Sequence, residues 1–168
     1  NKIAENIRNE CKGGKAKVSK IKKSKFKINP PVPFNLSGLQ KQAFKLYKLS
    51  PYQTLSIAEK LYLNALISYP RTNSQKLPKN LDCQRIIRDL SKLSEFNKVA
   101  NELLLKERFT PSQGKETDNA HPSIYPTGKI ITSNLIDVEK KVFNLIVKRF
   151  LNLFREPASG NKKEIYFK

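Results

Sequence analysis

Ser68-Tyr69-Pro70-Arg71-Thr72-Asn73 places an arginine two positions after a tyrosine that a proline keeps out of helix. A residue before proline is driven into the extended region, so Tyr69 belongs to a strand or extended turn. Side chains at i and i+2 of an extended segment leave on the same side, which aims Tyr69 and Arg71 at one target. A phenol with a pKa of about 10 is a weak nucleophile at neutral pH. A neighbouring guanidinium favours the phenolate and can also grip a phosphate through paired N–H donors. These residue types at this spacing point to phosphoryl transfer onto tyrosine. The plainer alternative is a packed tyrosine in a helix-to-strand turn, the default for any one of six tyrosines.

Just upstream of the hexapeptide the pattern is helical. Leu36, Leu39, Ala43, Phe44 and Tyr47 make one apolar face, with Lys41, Lys45 and Lys48 off it. A second helix has strong start signals: Ser50 as N-cap, Pro51 at its first position and Gln53 completing a capping box. Its Leu55, Ala58, Leu61, Tyr62 and Leu66 recur at helical spacing, so Leu61 and Tyr62 read as core residues. The short Lys48-Leu49-Ser50 break is compatible with a helix-turn-helix, a common DNA-docking unit.

After the hexapeptide, weaker helices are predicted near 80–92 and 94–106. Residues 107–133 form a long polar loop, a length that compact domains keep for function. It holds the lone histidine, His121, in a segment stiffened by Pro122 and Pro126. A lone histidine is more often a surface residue than a catalytic one, although its proton can also help hold a phosphate. The last helix is capped by Ser133 or Asn134 and runs to about Phe154. Ile136, Val142, Phe143, Ile146, Val147, Phe150 and Phe154 give it a broad apolar face. Lys148, Arg149 and Arg155 suit its C-terminal dipole. Pro157 and Gly160 end it, and Ile165-Tyr166-Phe167 reads as a strand.

The N-terminal stretch differs in kind. Residues 1–29 carry ten basic and two acidic side chains. Phe26-Lys27-Ile28 alternates as a half-exposed strand does. Such a basic strand can lie against DNA, or it can be a solvated edge guarded by lysine. Asn29-Pro30-Pro31-Val32-Pro33 then breaks regular structure and marks a boundary.

The composition bounds the partners. With 168 residues there is room for one domain and small appendages. A net charge of +19, from 33 basic and 14 acidic residues, calls for a polyanion, and nucleic acid is the commonest. No apolar run approaches a membrane span and no signal peptide is present, so a membrane partner is not expected. Cys11 and Cys83 have no CxxC partner and read as free thiols in a reducing compartment, without zinc. Gly13-Gly14 is only a turn signal, and no Asp-x-Asp or P-loop occurs. The chain starts at Asn1 and contains no methionine, which suggests a piece of a larger protein. Abundant lysine leans towards a thermophilic source.

Glu59-Lys60-Leu61-Tyr62 followed by Leu66-Ile67-Ser68-Tyr69-Pro70-Arg71-Thr72-Asn73-Ser74 resembles the active-site signature of type IA DNA topoisomerases, of archaeal type. Pro33-Phe34-Asn35-Leu36-Ser37-Gly38-Leu39-Gln40 and Ala120-His121-Pro122-Ser123-Ile124-Tyr125-Pro126-Thr127 are similar to flanking segments of that family, in the same order. Ser123 stands where alanine is usual and Asn73 where aspartate is common. The resemblance implies that Tyr69 attacks a single-stranded DNA phosphate and becomes joined to the 5′ phosphate, with Arg71 stabilising charge. It implies DNA contacts for His121, and Thr72, Ser74, Lys41 and Lys45 are further candidates. Thr72 and Ser74 can equally serve only to shape the turn.

The implied fold is mainly α with minor β: a catabolite-activator-like helix-turn-helix domain with short flanking strands from an adjoining β arch. On that reading residues 1–32 are basic strand and linker of the arch, 33–156 the tyrosine-bearing cleavage domain, and 157–168 the return strand. Mg²⁺ is expected on a Toprim domain outside this chain, so the chain alone is expected to be inactive. Single-stranded DNA, that Toprim domain and the parent enzyme's remaining domains are the implied partners. The implied location is the cytoplasm, at the nucleoid. A non-catalytic basic helix-turn-helix DNA-binding protein and a basic RNA-binding structural protein remain as alternatives.

Overall fold

The computed structural model describes residues 2–107, 109–129 and 135–168. The chain is mixed α/β, with six helices and one two-stranded sheet among the described residues. They divide into two compact units, one of residues 29–156 and one of residues 1–28 with 157–168.

In the larger unit α2 (Leu36–Tyr47) starts where Asn35 Oδ1 accepts the Gly38 N–H at 2.8 Å. Leu39 and Ala43 are buried on its inner face, but Phe44 is 56% exposed and lies outside the apolar stripe assigned to it. Phe44 instead lies beneath the Lys48 ammonium, 5.6 Å from the ring centre. α3 (Pro51–Leu63) opens with the expected box: Ser50 Oγ accepts the Gln53 N–H, and Gln53 Oε1 accepts the Ser50 N–H. α4 (Cys83–Leu90) is capped by Asp82 and α5 (Asn97–Leu104) follows it. α6 (Asp137–Asn152) buries Val142, Phe143, Ile146, Val147 and Phe150 and packs on α3, α2 and α5.

The expected cap at Ser133 or Asn134 falls outside the described residues. Ile136 precedes α6 and is 59% exposed rather than core. Its N–H donates to Glu139 Oε2 at 3.1 Å, so a side chain one turn inside the helix satisfies an otherwise orphan donor. Glu139 is itself 3% exposed and paired with Lys60 of α3 at 2.5 Å. That bond holds its carboxyl below the usual range. Two basic residues given to the helix dipole have nearer partners. Lys148 pairs with Glu95. Arg149 stacks on Phe34, 4.0 Å from the ring centre, and donates to the Val32 carbonyl.

The smaller unit holds α1 (Lys2–Cys11), for which the sequence reading gave no helix, and a ribbon of β1 (Val18–Ile28) and β2 (Ala158–Phe167). Both strands are longer than the short alternations at 26–28 and 165–167 suggest. They pair antiparallel from Val18 opposite Phe167 to Ile28 opposite Ala158. Pairing depends on the partner strand, which local alternation does not encode. Gly160 lies opposite Phe26, and a Cβ there would meet the ring at 2.5 Å, so the missing side chain makes room for the aromatic.

Candidate active site around Tyr69

The site begins with how α3 ends. Leu66 N–H donates to the Leu61 carbonyl at 3.0 Å and Ala65 N–H to the Tyr62 carbonyl at 2.7 Å. This is the paired closure of a Schellman turn, with Ala65 in the left-handed region at φ 57°. Leu66 therefore lies beyond the helix whose spacing it continued, and it packs in the core near Leu61. The turn throws the chain into the extended stretch that carries Tyr69.

That stretch is fixed by the long loop, which runs antiparallel to it. Thr127 N–H donates to the Leu66 carbonyl at 3.0 Å and Ser68 N–H to the Tyr125 carbonyl at 2.9 Å. Ile67 and Pro126 form a bridge between the two segments. Ser68 Oγ donates to the Ser123 carbonyl and accepts the Tyr125 N–H, both at 3.0 Å. Further along, Gln75 N–H donates to the Glu116 carbonyl and Gly114 N–H to that of Gln75. The loop is long because it serves as a partner strand for the signature.

Tyr69 is half-buried between two rings. The Tyr62 ring meets it edge-on at 5.3 Å, and the His121 ring lies tilted at 4.6 Å. Tyr62, expected in the core, is 41% exposed, while its neighbour Leu61 is fully buried. The α3 face that Tyr62 occupies is turned towards Tyr69 rather than inward. His121 is brought to the tyrosine across about fifty residues of sequence.

Arg71 is set differently from the sequence reading. Thr72 N–H donates to the Pro70 carbonyl at 3.0 Å, which makes Arg71 the apex of a three-residue turn. The alternation argument therefore does not carry through Arg71. Its direction comes from Glu59 on α3, whose Oε1 accepts from both Nε and Nη2 at 2.6 Å. One edge of the guanidinium is thus occupied, and among the described residues the Nη1 edge has no partner. The pair is half-exposed, so it is worth at most about 1 kcal/mol of stability and acts mainly as a positioning contact.

Thr72 and Ser74 are buried, at 4% and 3% exposure. Thr72 Oγ1 donates to the His121 carbonyl at 3.1 Å and accepts the Ser74 N–H. Ser74 Oγ accepts the Lys76 N–H. Both hydroxyls are engaged with backbone groups. Lys41 and Lys45 are exposed on α2. Asn35 links α2 to the site, because its amide donates to the Asn73 carbonyl and to Glu116 while its oxygen caps the helix. Leu36 N–H also donates to the Thr72 carbonyl.

Asp118 escaped the sequence reading. Its carboxylate accepts three backbone N–H groups, from Ala120 at 2.9 Å and from His121 and Asn73 at 3.2 Å. The Ala120 bond, then those from Asn73 and His121, hold it below the usual carboxylate range. It thereby clamps the His121 segment onto the Tyr69 segment. The one available signal was local, an aspartate two residues before an N–H it can cap.

Among the described residues, no three His, Cys, Asp or Glu side chains gather into a group that could hold a metal ion. None of the described helices is long and apolar enough to cross a membrane. Cys11 and Cys83 are free thiols, and burial followed by Asp82 pushes Cys83 up to about 11.

A family model described as DNA topoisomerase matches residues 1–168. DNA topoisomerase 1 of Pyrococcus horikoshii is 43% identical over 150 residues, covering 89% of this chain and 22% of that protein. DNA topoisomerase 1 of Methanothermobacter thermautotrophicus is 39% identical over 156 residues, covering 93% and 21% respectively. Full-length topoisomerase I from Thermotoga maritima superposes with a TM-score of 0.66 at 25% identity, over 98% of this chain and 27% of that one. The chain spans about a fifth of the length of the curated relatives it matches.

Proposed function

Since this chain belongs to the type IA DNA topoisomerase family, we propose that it carries the nucleophile with which its parent enzyme opens one strand of DNA. The observation that carries this reading is Tyr69, half-buried on a clamped strand between Tyr62 and His121, with Arg71 oriented two residues away. In the proposed step the Tyr69 oxygen forms a bond to phosphorus and the bond from phosphorus to the 3′ oxygen breaks. The phenol gives up its proton and the departing strand end gains one as a 3′ hydroxyl. The Nη1 edge of Arg71 stabilises charge on the phosphate. His121 is a phosphate contact, and Asp118, Thr72 and Ser74 hold it in register with the tyrosine. Lys41 and Lys45 are long-range phosphate contacts on the first of two helices that we read as a helix-turn-helix. The phosphotyrosine ester keeps the energy of the broken bond, so strand passage and religation need no ATP.

On this reading residues 33–156 are the cleavage domain, and residues 1–32 and 157–168 belong to an adjoining arch. Mg²⁺, which the family reading assigns to the parent enzyme, finds no carboxylate cluster among the described residues. We therefore expect no relaxation of supercoiled plasmid from the chain by itself. Relaxation that Tyr69→Phe abolishes would overturn that division of labour.

The decisive experiment uses the parent enzyme, a labelled single-stranded oligonucleotide and denaturing gels. Tyr69→Phe keeps the ring contacts but removes the only atom that can attack, so protein–DNA adduct should vanish while binding persists. Adduct at wild-type level from Tyr69→Phe would sink the assignment. Failure of the wild type to form adduct would favour a non-catalytic DNA-binding role, and preference for structured RNA an RNA-binding one.

A further inference from the structure

Both faces of the β1–β2 ribbon carry lysines, but only one carries a carboxylate. Residues 1–28 and 157–168 hold 13 of the basic and three of the acidic side chains, so this quarter of the chain carries over half of the net charge. Because side chains alternate along a strand, the register assigns each lysine to one side. Lys23, Lys25 and Lys27 share a face with their partners Lys163, Asn161 and Ser159. Lys20, Lys22, Ser24 and Phe26 share the other with Tyr166, Glu164, Lys162 and Gly160. The ribbon's one carboxylate, Glu164, is thus on the second face, where it bonds Lys162.

The first face has no such compensation. Lys23 stands directly opposite Lys163, an arrangement that opposes strand pairing. All four of its lysines are exposed, and none pairs with a carboxylate among the described residues. The second face holds three lysines beside Glu164, whereas the four on the first have no carboxylate among them and two stand directly opposite each other. A polyanion laid along the face removes the repulsion.

We propose that this face binds the backbone of single-stranded DNA, as a contact separate from the Tyr69 site. Lys23, Lys25 and Lys27 recur every two residues, about 6.8 Å apart, and so form a single row that follows one phosphate chain. Lysine supplies point charges without a planar fork, which suits contact that ignores sequence. The proposal deepens the DNA reading above and rests on it.

The test uses the 168-residue chain and a fluorescent single-stranded oligonucleotide, titrated over a range of salt. The first variant joins Lys23→Gln, Lys25→Gln and Lys163→Gln. The second joins Lys15→Gln, Lys20→Gln and Lys22→Gln, which removes the same charge from elsewhere in the unit. Each phosphate neutralised on a single strand contributes about 0.7 to the log–log salt slope, so the first variant should lose about 2 units of slope. The second should lose much less. Taking away opposed like charges relieves the ribbon, so weaker binding cannot be put down to unfolding, and circular dichroism checks this. Equal losses in both variants would overturn the face while leaving the DNA reading intact. No binding by the unmodified chain would overturn both. Stronger dependence on this face for phosphatidylserine vesicles than for DNA would reassign it to a lipid surface.

Discussion

Glu59 decides where the Arg71 guanidinium points, and the exposed ion pair contributes too little energy for stability to be its main effect. Glu59→Ala in the parent enzyme should therefore lower adduct formation several-fold while unfolding stays within about 1 kcal/mol of wild type. Glu59→Gln retains an acceptor oxygen and should recover much of the loss. Equal cleavage by all three proteins would remove Glu59 from the site. Ser123 poses an opposite case. It is fully buried, and its Oγ has no hydrogen-bond partner among the described residues. An unpaired buried hydroxyl is a net cost, so Ser123→Ala should stabilise the chain by about 1 kcal/mol in urea unfolding. A loss of stability would mean that the hydroxyl has a partner. Titration adds a third residue-scale expectation. Asp118 and Glu139 both have depressed folded values, so their stabilisation is complete above their ordinary values of 3.8 and 4.5 and is lost as pH falls through the depressed ones. Unfolding free energy should hold from neutral pH to about 4.5 and then decline, and Asp118→Asn with Glu139→Gln should flatten that decline. An unchanged acid slope in the double variant would show that other carboxylates carry it.

The element that places the tyrosine is the turn that stops α3. Ala65 occupies a left-handed position that glycine fills without strain, and for alanine that conformation costs roughly 1–2 kcal/mol. Ala65→Gly should stabilise by roughly 0.5–1 kcal/mol once the extra freedom of unfolded glycine is subtracted. Denaturant midpoint at constant slope is the measurement, and a lower midpoint would show that the methyl group packs usefully. The long loop behaves as an element too, although it has no regular secondary structure. Its backbone hydrogen bonds reach the 66–77 segment at both ends, at Leu66 and Ser68 and again at Gln75 and Lys76, so each satisfies part of the other's backbone.

At the scale of the molecule, the buried apolar residues among those described all lie between Phe34 and Phe154. The ribbon and α1 contribute none of them. A fragment of residues 29–156 should therefore keep a cooperative thermal transition and its near-ultraviolet aromatic signal. The ribbon unit alone should be marginal, since two strands without a packed face rarely hold together. Loss of cooperativity in the 29–156 fragment would show that the larger unit depends on the smaller.

What the sequence determined by itself is what neighbouring residues enforce on each other. Pro70 fixes the extended backbone at Tyr69, Ser50-Pro51 with Gln53 starts α3, and apolar recurrence at 142–150 defines the buried face of α6. The signature around Tyr69 was legible for the same reason, being contiguous chemistry on one short stretch. Tertiary structure decided whatever depends on a partner far along the chain. Only the fold places His121 against Tyr69, puts Tyr62 on that surface rather than in the core, and makes Asp118 a clamp between two segments. Arg71 shows the division within one residue. Its charge was evident from the sequence, but its direction comes from a turn at Pro70 and a carboxylate on α3, and hydrogen bonds across twelve residues leave no local period to read.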